Sequence, residues 1–151
     1  MNEQEIHHLL YDIPENVDYT DIPQDLDLED VSKERVDKLR DLLHSDDLAV
    51  RFDAALLLTN WGVEDGLNTL IDLFEKGETK GFIPHHLHPY DDTNKHILDA
   101  LIGYWASQTD LHKEQEARKR IYPTIISIIK QAVHSSYSIA QIGFLIKKDL
   151  D

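Results

Sequence analysis

The stretch 45-SDDLAVRFDAALLLTNWG-62 decides how this chain folds. Val50, Ala54, Leu57, Leu58 and Trp61 recur at helical spacing on one face. Phe52, Ala55 and Leu56 make most of the remaining circumference apolar as well. A helix without a polar side has to be covered by neighbours on several sides, so this one is expected at the centre of a helical stack. Gly62 is placed to end it. One polar feature stands out: Arg51, a cation one turn after Asp46 and Asp47.

Working outward, the segments on both sides also read as helices. Upstream, Ser32 is a good N-cap for 33-KERVDKLRDLLH-44, whose Val36, Leu39, Leu42 and Leu43 form a stripe. Downstream, Val63, Leu67, Leu70, Ile71 and Phe74 keep helical spacing until Gly77. After a longer loop, 93-TNKHILDALIGYWA-106 puts Ile97, Leu101, Tyr104 and Trp105 on one side. A long stretch from Leu111 to His134 follows, in which Pro123 is expected to kink or restart the helix. The chain closes with 135-SSYSIAQIGFLIKK-148, and residues 2–11 suit a short first helix. No strand pattern survives beside these periodicities. The expected class is all-α.

The helices suggest antiparallel pairs, and the second members echo one another. DAALLL from Asp53, DALIGY from Asp99 and IAQIGF from Ile139 align Ala54, Ala100 and Ala140, and also Gly103 with Gly143. Residues 42–77 resemble a HEAT repeat of the short type also found in phycocyanobilin lyases. The resemblance rests on Asp46 or Asp47 in the turn, Val50-Arg51, Ala54-Ala55, Leu58, Gly62, and Leu67 with Leu70. It covers about one and a half repeats, and implies a short α-solenoid of about three helix pairs. In that family the arginine ties adjacent repeats by bonding carboxylates and carbonyls at the turn, which makes Arg51, Asp46 and Asp47 structural. At the positions matching Arg51 stand Ile97 and Tyr137, so the solenoid is expected to be irregular.

The charge is the most unusual property of the composition. Against 15 basic residues there are 29 acidic ones, a formal charge of −14. Such a surface repels nucleic acid and anionic lipid, whose phosphates need Lys and Arg, and favours cationic partners. Residues 12–30 concentrate the effect: Asp12, Glu15, Asp18, Asp21, Asp25, Asp27, Glu29 and Asp30 occur without a single base. That run has two readings. It is either a solvated linker, or, because Ile13, Val17, Tyr19, Ile22, Leu26 and Leu28 are interspersed, an arm that packs on the body and displays its carboxylates. On the second reading residues 1–31 form a helix and arm, and 32–151 the HEAT-like domain. The absence of cysteine excludes disulfides and thiolate chemistry. With no signal-peptide pattern and no apolar span, a cytoplasmic location is expected.

The loop from Gly77 to Asp92 is where an insertion in a repeat protein would do its work. Phe82, His85, His86, His88 and Tyr90 suit a recognition loop, with Asp91 and Asp92 beside them. A zinc site including His96 is the alternative, but the loop lacks the helical frame of a zincin motif. No phosphate-binding glycine loop, nucleophile elbow or catalytic triad spacing is present, so no enzyme and no cofactor is expected. HEAT-like alkylpurine DNA glycosylases need a basic concave surface, and 118-RKR-120 is the only dense basic cluster. Small, acidic, cysteine-free chains of this kind look like bacterial immunity proteins, and that likeness implies a monomer that masks the cationic cleft of a basic nuclease toxin. The expected contacts are Asp18, Asp21, Asp25 and Asp27 with the loop from Phe82 to Asp92. The alternative is a scaffold or regulatory subunit that holds a peptide or helix in a HEAT-like groove.

Overall fold

A computed structural model describes residues 1–83 and 92–132. Among the described residues the protein is all-helical. Helix α1 spans Glu3–Tyr11, and two single 3-10 turns follow at Pro23–Asp25 and Leu28–Asp30. Then come α2 (Lys33–Leu42), α3 (Leu48–Asn60), α4 (Glu64–Glu75), α5 (Thr93–Thr109) and α6 (Glu114–Ala132). None of the described helices is long and apolar enough to cross a membrane.

Local chemistry accounts for the helix ends. Ser32 Oγ accepts the Arg35 amide at 3.1 Å and opens α2. Asp47 Oδ1 accepts the Ala49 amide at 2.9 Å and does the same for α3. Gly62 follows α3 with φ +83°, a left-handed residue where a side chain is strained and a Cβ would meet Ser107 Oγ at 2.3 Å. Helix α6 runs unbroken through Pro123. The expected restart is not needed, since the helix loses a single N–H donor there and its buried Ile121, Thr124, Ile125 and Ile128 keep one face in the core.

α3 occupies the centre. It packs against α1, α2, α4, α5 and the first 3-10 turn. Its Phe52, Ala54, Ala55, Leu56, Leu57, Leu58 and Thr59 are all buried, as expected for a helix apolar on every side. Gly66 lets α4 come unusually close, because a Cβ there would lie 2.4 Å from Leu58 Cβ and 3.0 Å from the Thr59 nitrogen. On the solvent side Arg40 Nε lies 3.0 Å from Asp65 Oδ2, an exposed ion pair between α2 and α4 that adds little to stability.

The acidic segment is laid onto this body. Leu10, Leu26 and Val31 are buried in the main core, and Ile6, Leu9, Ile13 and Val17 pack at its edge. Two polar ties fix the path. Trp61 Nε1 donates to the Pro23 carbonyl at 2.8 Å, and Arg35 Nε donates to the Leu9 carbonyl at 2.9 Å. The Arg35 guanidinium also lies 5.4 Å from the Trp61 ring centroid, within cation–π range. One tryptophan thus joins α3, α2 and the arm.

Candidate partner-binding groove

Because the arm crosses the C-terminal end of α3, it forms one wall of a groove of about 650 Å³. Residues 24–29 make that wall, and the last turns of α5 with Leu111 make the other. Trp61 and Gly62 lie at the bottom. The space exists because α5 presents small residues there: Gly103, Ala106 and Ser107. At Gly103 a Cβ would stand 3.3 Å from Asn60 Oδ1, so the helices already touch where the groove begins.

The lining has one sign of charge. Asp25, Asp27, Glu29 and Asp110 line the groove, and among the described residues no Lys, Arg or His does. Asp27, Glu29 and Asp30 bring carboxylate oxygens within 4.8 Å of one another, a mutual repulsion that a bound cation would relieve. Tyr19 holds this turn in shape: its hydroxyl donates to Asp30 Oδ2 and accepts the Asp27 amide, each at 2.8 Å. Both α3 and α5 end here, and helix C-termini carry partial negative charge.

Two neutral amides sit among these charges. Asn60 Nδ2 donates to the Leu56 carbonyl at 2.9 Å. Gln108, only 7 % exposed, donates Nε2 to the Gly62 carbonyl at 3.2 Å. Gln108 Nε2 also donates to Ser107 Oγ at 3.4 Å, and neither Asn60 Oδ1 nor Gln108 Oε1 is a buried atom without a partner. At the rim, Leu28 is 42 % exposed and Leu111 59 %. Carboxylates and amides thus line the groove, and apolar surface lies at its edge.

The cleft between α1 and α2, about 420 Å³, is different. Arg35, Lys38 and the His8–Asp12 pair share it with Glu5, Glu15 and Glu34, so it selects neither sign. Burial pushes the Arg35 pKa down against the opposing influence of Asp12, and its Nη2 is buried with no hydrogen-bond partner.

The structure sorts the residues expected from sequence. Asp25 and Asp27 line the groove, whereas Asp18 and Asp21 are exposed on the arm outside it. Phe82 is half-buried. It stacks on buried Phe52 with centroids 4.9 Å apart and 13° between planes, because its ring covers the end of the core. Asp92 is half-buried at the N-cap of α5. Its amide donates to the Ile83 carbonyl at 2.7 Å, and the Ile83 amide donates to Thr93 Oγ1 at 2.9 Å, which closes the neck of the loop. His85, His86, His88, Tyr90 and Asp91 lie outside the described residues, as does the third echo at Tyr137, Ile139, Ala140 and Gly143.

Arg51 does not make the expected tie. It is half-buried, its Nε has no hydrogen-bond partner, and it forms no ion pair with Asp46 or Asp47. The reason is local, since Asp47 turns its carboxylate onto the amides of its own helix. Sequence reading missed Asn60, Gln108, Asp110 and Leu111. A signal was available in the Gly103–Ala106–Ser107 row, a strip of small side chains on one helix face that leaves room beside it. No protein-family model, no curated protein and no solved structure matches this chain.

Proposed function

We propose that this protein is a binding module that neutralises a basic protein, as an immunity protein neutralises a nuclease-type toxin by masking its cationic cleft. The observation that carries the reading is the groove: four carboxylates and, among the described residues, no base, on a chain of net charge −14. The arm's remaining acids, Asp18 and Asp21 among them, extend this field and steer the encounter. On this reading the protein acts in the cytoplasm as a monomer until it meets its partner, and does no chemistry itself.

The finer fold belongs to the same proposal. A short HEAT-like solenoid of antiparallel pairs is supported by contacts between α3 and α5 and between α4 and α6, each two helices apart in the chain. Such stacking supplies a rigid edge on which to mount the arm.

The experiment is capture of the tagged full-length protein from its native cells at low and high salt, followed by nuclease assay of what is retained. A basic nuclease that salt releases and this protein inhibits is the expected result. Converting Asp18, Asp21, Asp25 and Asp27 together to Lys should weaken its binding by at least about 100-fold at low salt. Unchanged affinity in that variant, or capture indifferent to salt, overturns the reading in favour of a scaffold with an apolar groove.

A further inference from the structure

We infer that residues 14–31 form a strap that opens as a unit over Trp61 while the helices stay folded, and that the strap's own negative charge sets how often it opens. Both ends are tied to the body. α1 is held by buried Leu10 and by the bond from Arg35 Nε to the Leu9 carbonyl, and α2 begins at Lys33. Between these ends the backbone bonds are local. Val17 N–H donates to Pro14, Leu26 to Pro23 and Val31 to Leu28, each closing a single turn. Tyr19 ties the middle of the strap to itself, since its hydroxyl bonds both the Asp27 amide and the Asp30 carboxylate. Residues 19–30 are therefore built to move together. Their hold on the body is the bond from Trp61 Nε1 to the Pro23 carbonyl at 2.8 Å, with the Pro23 and Leu26 side chains buried beside it. Lifting those anchors uncovers Trp61, which is 2 % exposed when the strap is down, and breaks no helix.

Charge works against closure. The strap carries seven carboxylates and no base, and residues 31–151, with 19 acids and 15 bases, are themselves net negative. Closing brings Asp25, Asp27 and Glu29 to the groove that Asp110 also lines, beside the C-terminal ends of α3 and α5 and their partial negative charge. The strap is thus held down by apolar anchors against electrostatic repulsion. Screening must then favour the closed state: the Debye length is about 30 Å at about 10 mM salt and about 3 Å at about 1 M. This inference stands apart from the identity of any partner. It bears on the groove directly, because residues 24–29 are one of its walls and the groove is complete only while the strap is down.

The test is native-state hydrogen exchange on the full-length, 15N-labelled protein, followed by NMR at constant pH in low and high sodium chloride. The probes are the Trp61 indole N–H and the amides of Leu26, Asp27, Asp30 and Val31, with the Leu57 and Leu58 amides of α3 as the reference. At low salt the strap probes should share one protection factor, at least about tenfold below that of the reference amides. High salt should raise it by about tenfold or more. A variant with Asp18, Asp21 and Asp25 all converted to Asn removes three exposed charges. At low salt its strap should already be protected severalfold better than the parent's, and its response to salt should be smaller. Strap probes as slow as Leu57 and Leu58 would show that no separate opening exists. Probes that exchange at unrelated rates would show fraying in place of a unit. Protection that falls or stays level as salt rises, or a triple variant with the parent's full salt response, would remove charge as the control. Any of these results overturns the proposal.

Discussion

Helix α3 and the acidic arm use apolar residues in opposite ways. In α3 they surround the axis, and the helix is stable only because other elements cover it. In the arm they are anchors set one at a time among carboxylates: Ile13, Val17, Pro23, Leu26 and Val31. Burying a large aliphatic side chain is worth about 1.5–3 kcal/mol, so a few anchors can hold a segment whose charges repel one another. The contrast teaches that α3 makes the fold, while the arm is attached to it at low local stability. The groove lies where the two meet.

The largest effect should come from α3. Leu58→Ala, at a fully buried site, should cost about 3–5 kcal/mol of global stability in urea unfolding. Leu28→Ala on the arm should cost almost nothing. Comparable losses at the two sites would erase the distinction. Gly66→Ala comes next. Alanine gains about 1 kcal/mol of helix propensity over glycine, but its Cβ would be driven into Leu58 and the α3 backbone. Overpacking of that kind costs about 1–3 kcal/mol or more, and the backbone cannot step aside cheaply, so the variant should be less stable. A more stable variant would mean that α3 and α4 are packed more loosely than their contact implies.

Trp61→Phe separates the two regions more finely. It keeps an aromatic ring in the core and removes the donor to the Pro23 carbonyl, a bond worth about 1 kcal/mol. Hydrogen exchange should show protection falling in residues 12–31 while α3 to α5 change little. Uniform loss along the chain would show that arm and body unfold as one unit.

How much of this was legible beforehand follows from the same contrast. A helix apolar on all sides announces its own burial, so α3, its capping glycine and the all-α class could be read from periodicity and turn chemistry. Ser32 at the start of α2 was legible for the same reason: a cap bonds its own next turn. The partner of Arg51 was not legible, because the pairing of a half-buried cation depends on which neighbour arrives, and Asp47 is engaged by local amides. The stacking of Phe82 on Phe52 was not legible, because the two rings lie thirty residues apart in the chain. The groove was half legible. Asp25 and Asp27 stood out by charge, but Asn60, Gln108 and Asp110 join them only through the long-range packing of α3 against α5.

The smallest expected effect sharpens the comparison from α3's own side. Asp53 is the acidic residue of that helix, and Tyr11 OH donates to its Oδ2 across a long 3.4 Å. Burial raises its carboxyl pKa above the ordinary aspartate value, the Tyr11 bond opposes this, and the charge of Asp47 adds to it. A carboxyl whose pKa is higher in the folded state binds its proton more tightly there. Its contribution is therefore most favourable below the ordinary carboxylate range and declines as pH rises through the folded value. At neutral pH the ionised form carries the whole penalty. Asp53→Asn is neutral at every pH and keeps an oxygen for Tyr11, so its Tm should exceed the parent's at pH 7. The gap should close as the solution is taken below the carboxylate range, where the parent is protonated too. A gap of constant size across that titration would show that the gain comes from something other than relief of a buried charge.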